Sequence, residues 1–189
     1  MSRFPMTRRR LALASIAVVT VLCLVGVSIL AVAAGGSALA FEVNGTKVSQ
    51  DKIDSQLDDI ANTKGLATQV SHTEGSLDSK VAAQILTANI VLQVVRDAAE
   101  RQGVDVTAAD RAQAEKAIGT QLDKYPASYR DLQTELQAHF VALGLDSNDK
   151  ANAFVSQAVK RADVHVNPRY GFWNPKFGVC PPTGCSATG

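Results

Sequence analysis

The side chains that could do chemistry in this chain are few, and most are spaced wrongly for it. The three histidines are His72, His139 and His165. They fall in an expected loop, helix and strand, without the i, i+4 pairing that presents two imidazoles to one ion. A metal site needs three or four converging ligands, so none is expected. There is no G-x-x-x-x-G-K-[ST] or G-x-G-x-x-G stretch to cradle phosphates, and no G-x-S-x-G elbow to present a nucleophile. Acidic residues stand close together at Asp58-Asp59 and at Asp105 and Asp110, but they lie where solvated helix faces and caps are expected rather than general acids and bases. Cys180-Pro181-Pro182-Thr183-Gly184-Cys185 is more informative. Outside the cytoplasm two such cysteines oxidise, and the intervening Pro-Pro and Gly suit a tight loop, so a structural disulfide is expected. The spacing is not C-x-x-C, and no helix start follows to stabilise a thiolate, which argues against a redox couple. The remaining feature is an aromatic cluster, Tyr170, Phe172 and Trp173. It either folds back over apolar core or forms a patch for a client or partner. On this reading the chain has no catalytic residue, needs no cofactor and is not an enzyme.

The elements that must position these residues begin with an export segment. The chain has 189 residues with 19 Lys and Arg against 18 Asp and Glu. Four of the basic residues (Arg3, Arg8, Arg9 and Arg10) and none of the acids precede residue 41. The remainder is mildly acidic, which speaks against nucleic acid as a partner. Leu11 to Ala34 carries no charge, and Ala38-Leu39-Ala40 follows. A basic start, an apolar run and an Ala-x-Ala ending form a secretory signal, with the cut expected between Ala40 and Phe41. The run is also long enough to span a bilayer, so residues 1–40 read as a signal peptide or a membrane anchor with the arginines held inside. Contact with the membrane is expected only through residues 11–34, and only if they are retained. Either way the rest of the chain is placed outside the cytoplasmic membrane. Cys23 follows Leu22, which is not small, and reads as an apolar residue of that run rather than a lipid attachment site.

Phe41 to Val48 alternates around Asn44-Gly45, the pair that suits a type I′ hairpin turn. Asn44-x-Thr46 also matches a glycosylation sequon, a weaker reading. Ser49 caps a helix carrying Ile53, Leu57 and Ile60, expected to end at Gly65. Residues 66–76 read as a loop. Ser76 or Asp78 opens the longest helix, to about Gln102, with Val81, Ile85, Leu86, Ile90, Leu92, Val94 and Val95 making it apolar on most sides. Thr107 to Asp110 resembles a capping box. The helix it opens is expected to reach Lys124 with Ala114, Ile118 and Leu122 inward, and Tyr125-Pro126 stops it. A helix from Ser128 carries Leu132, Leu136, Phe140 and Leu143. Another from Ser147 carries Ala151, Phe154, Val155, Ala158 and Val159. Val164-His165-Val166 reads as a strand able to pair with the first hairpin. The tail from Asn167 onward is rich in Pro and Gly and is expected to lack regular structure.

This order is recognisable. The Val43-Asn44-Gly45 hairpin, the helices joined through Gly103-Val104-Asp105-Val106-Thr107, and the closing Val164-His165-Val166-Asn167-Pro168-Arg169-Tyr170-Gly171 resemble the N-terminal domain of the SurA and PrsA families of exported chaperones, in particular the short actinobacterial forms. The resemblance covers roughly residues 41–175. It implies a mainly α domain at 41–166, with a small hairpin and strand joining its two ends, followed by a tail at 167–189. It further implies a cradle of helices that binds unfolded or extended polypeptide. The parvulin prolyl-isomerase domain that accompanies many relatives has no counterpart, because the paired histidines and the Gly-Gly-Asp-Leu-Gly stretch are missing. Ile90, Val94, Leu136, Phe140, Tyr170 and Trp173 are the expected peptide contacts. The rival reading is a structural or adaptor protein that docks one specific envelope partner.

Overall fold

A computed structural model describes residues 38–63, 78–181 and 185. The chain is mostly helical, with small antiparallel sheets. It opens with β1 (Leu39–Val43) and β2 (Thr46–Ser49), paired antiparallel with Phe41 opposite Val48 and Val43 opposite Thr46. Asn44 and Gly45 both take positive φ, 48° and 86°, as the two-residue turn requires. Helix α1 (Gln50–Ala61) starts at Ser49, whose hydroxyl accepts from the Lys52 N–H. It ends at Ala61, before the expected Gly65, which lies outside the described residues. Helix α2 (Ser79–Arg101) is capped by Asp78, whose carboxylate accepts from the Lys80 N–H at 2.8 Å. Ser76, the other expected cap, also lies outside the described residues.

Helix α3 (Ala108–Ile118) begins at a full capping box. The Asp110 N–H donates to the Thr107 hydroxyl, and the Thr107 N–H donates to the Asp110 carboxylate. The helix expected to run on to Lys124 stops at Ile118. Gly119 leaves the helical region at φ 54° and ψ −136°, and Gly119–Leu122 continues as a 3₁₀ turn. Ala114, Ile118 and Leu122 are nonetheless all buried. Helix α4 (Ala127–Ala142) follows Pro126, and α5 (Asn148–Arg161) follows the Ser147 cap. Among the described residues no helix is long and apolar enough to cross a membrane.

Strand β3 (Val164–Val166) joins the first sheet on the far side of β1, giving the order β2-β1-β3 with Phe41 opposite Val166 and Val43 opposite Val164. The expected pairing of the domain's two ends is therefore present. The tail corrects the expectation of irregular chain: β4 (Phe172–Asn174) and β5 (Gly178–Cys180) form a second antiparallel pair. Composition misled because a hairpin this short needs only a few residues, and the Pro and Gly sit at its turn and flanks. The hairpin is seated on α2. The Val179 N–H donates to the Thr87 hydroxyl at 2.8 Å, and that hydroxyl donates onward to the Ala83 carbonyl at 2.7 Å. Any Cβ on Gly178 would stand 2.6 Å from Thr87 Cγ2. The core forms around α2, where Leu86, Ile90 and Val94 are fully enclosed with Phe41 and Val43 from β1 and Ile53 from α1. Burial of each such side chain contributes about 1.5–3 kcal/mol.

Candidate functional site

The six expected peptide contacts do not form one surface. Ile90 and Val94 have no exposure at all. They are core residues, and as folded neither is available to a client. The apolar face of α2 that suggested them is covered by α1, α4, α5, β1 and β5. Tyr170 is also buried. Its hydroxyl donates to Asp54 Oδ1 at 2.8 Å, and Arg169 lies 3.8 Å from the other oxygen of the same carboxylate. Burial, then the bond to Asp54, raises the Tyr170 phenol far above its ordinary range. Trp173 is half-buried against the core cluster, and its indole N–H is buried without an acceptor among the described residues. Only Leu136 and Phe140 lie along a partly exposed row, one turn apart on α4 and continued by Leu143.

Large apolar side chains are exposed elsewhere. Among the described residues they are Leu39, Phe172 and Phe177. Phe172 belongs to the aromatic cluster picked out in the sequence. Phe177 was missed, because it stands in the turn of a hairpin that composition did not reveal. The Lys176 ammonium lies 5.0 Å from the Phe177 ring centre.

Many of the polar groups are engaged with one another. Buried Asn89 donates to Gln56 and to the Ile85 carbonyl. Asp97 accepts from Gln93 at 2.7 Å and from the turn residue Asn44 at 2.8 Å. Asn44 in turn accepts from the Asp163 N–H, tying α2 to the β1–β2 turn and to the start of β3. Arg111 of α3 pairs with Glu135 of α4 at 2.6 Å, and that bond holds the Glu135 carboxyl below its usual range. His139 is buried and its Nδ1 meets the Glu135 carbonyl at 2.7 Å. His165 is exposed, 3.2 Å from Asp163, and His72 lies outside the described residues. No cluster of possible metal ligands occurs among the described residues. An open depression of about 370 Å³ is lined by Asn44, Thr46, Asp97, Glu100 and Arg101. Within it the Asp97 carboxylate is taken up by Gln93 and Asn44.

Cys180 and Cys185 are joined in a disulfide, their Cα atoms 5.0 Å apart. Of the residues around the expected cut, Ala38 is exposed, whereas Ala40 and Phe41 are buried within β1.

No family model matches this chain, and no curated protein or solved structure matches it either.

Proposed function

We propose that the protein is an exported, envelope-located chaperone of the holding type, which binds unfolded or extended polypeptide without a cofactor and without prolyl-isomerase activity. The observation that carries this reading is the partly exposed apolar row of Leu136 and Phe140 on α4 with Leu143 at its C-cap, a surface that suits the nonpolar side chains of an extended client. The exposed Phe172 and Phe177 add two rings that an unfolded segment can cover.

The test uses purified residues 38–189 at stoichiometric amounts with a chemically unfolded protein that aggregates on dilution. Suppression of light scattering is expected. It should weaken severalfold in a Phe140→Ala, Phe172→Ala double variant whose circular dichroism is unchanged. A folded domain that suppresses nothing defeats the holding role and leaves the docking of one specific envelope partner as the reading to pursue.

A further inference from the structure

The Ala-x-Ala sequence that invites cleavage is built into the fold. β1 begins at Leu39, and three hydrogen bonds grip the backbone ahead of Phe41. The Gln50 N–H donates to the Ala38 carbonyl at 2.8 Å, the Asn167 side-chain amide to the Leu39 carbonyl at 2.8 Å, and the Asn167 backbone N–H to the Ala40 carbonyl at 2.9 Å. Ala40 is wholly buried and Phe41 nearly so. A cut between them would remove the first two residues of the central strand. It would also leave a charged ammonium on a residue enclosed by the core, which burial disfavours. A peptidase, moreover, needs an extended segment that is free to enter its cleft, and once the domain has folded, pairing with Ser49 on one side and Asn167 on the other withholds this strand from it.

We propose that Ala38-Leu39-Ala40 serves as strand rather than as a cleavage site, so that the domain stays tethered to the membrane by the uncharged run Leu11 to Ala34. This rests on the export reading above. The tether is short. Only Gly35, Gly36 and Ser37 separate the run from Ala38, a reach of at most about 14 Å. The end of the domain carrying Leu39, Gln50 and Asn167 is thereby held at the bilayer surface, and Leu39, one of the exposed large apolar residues, lies at that end.

The experiment expresses the full chain in a secreting bacterial host. It reads intact mass and N-terminal sequence in membrane and released fractions, and adds protease to spheroplasts. The expected result is an uncut chain in the carbonate-washed membrane, with its domain open to external protease. A released product, whether it begins at Phe41 or further upstream, overturns the tether while leaving export intact. An uncut chain protected from external protease overturns export and the tether together. Val166→Asp places a carboxylate opposite Phe41 and should open the strand pair, raising the fraction cut after Ala40 severalfold. If the variant remains uncut although β1 is open to hydrogen exchange, strand pairing is not what protects the site, and that part of the proposal fails.

Discussion

At the scale of single residues, the Asn-Pro-Arg-Tyr-Gly segment acts as a clasp. Asn167 accepts from the Arg169 N–H while donating to Leu39. Arg169 reaches Gln50 and Asp54, and Tyr170 donates to Asp54. This was only half legible in the sequence. The residues were conspicuous, but the aromatic ring suggested a contact surface, because a lone tyrosine gives no sign of a carboxylate 116 positions away. Tyr170→Phe should cost about 1–2 kcal/mol at neutral pH, the worth of a hydrogen bond to a charged acceptor that is partly solvated. The pH dependence has a definite sign. The folded phenol holds its proton to higher pH than the unfolded one, so its contribution is complete below about pH 10 and declines above it. Urea unfolding of both proteins at neutral and strongly alkaline pH should show the gap between them narrowing as pH rises. A constant gap would mean that burial and the Asp54 bond do not set the titration.

At the scale of elements, local chemistry was easiest to read where a side chain closes on its own backbone. Ser49, Thr107 with Asp110, and Ser147 are all caps as expected, since a cap is decided within four residues. Failures occurred where distant chain decides. The tail hairpin exists because α2 offers Thr87 as a hydrogen-bonding partner and an apolar face to cover, neither of which is visible from the tail's composition. Gly119 broke a helix that periodicity alone would have continued. Two glycines separate these causes. At Gly171 φ is 122°, and a Cβ would collide with the Cys180 carbonyl, so Gly171→Ala must push β5 away from β4. At Gly119 φ is 54° and ψ −136° with open space around it, so Gly119→Ala meets only backbone strain, about 1–3 kcal/mol. Thermal unfolding should therefore show a modest loss for Gly119→Ala and a much larger one for Gly171→Ala, with the tail amides losing hydrogen-exchange protection only in the latter. Equal losses would mean that the tail hairpin is not rigidly seated.

At the scale of the whole molecule, the first and last strands of the main sheet are neighbours, and α2 is the common wall for the other elements. The long apolar helix was plain in the sequence, and so was its need for several partners. Which of its residues remain at the surface was not, because that depends on what packs against each face, and Ile90 and Val94 proved to be interior. The disulfide matters less than its position suggests. It closes a loop of six residues, so cross-linking contributes about 2 kcal/mol at most. Reduction with dithiothreitol should lower the melting temperature by no more than about 8 °C and leave the far-ultraviolet spectrum unchanged at room temperature. Global unfolding on reduction would show that the tail holds the domain together rather than covering it.

Trp173 is the chain's single tryptophan, and it sits in the tail hairpin against the core. The molecule thus carries one tryptophan fluorophore, excitable apart from its tyrosines, at the junction between its last strands and its central helix. Its emission should be blue-shifted while the hairpin is docked and move to the red once water reaches the ring. Comparing that shift with helical ellipticity along a urea titration would separate loss of the tail from loss of the helices. Coincident curves would mean that the last strands and the central helix unfold as one cooperative unit.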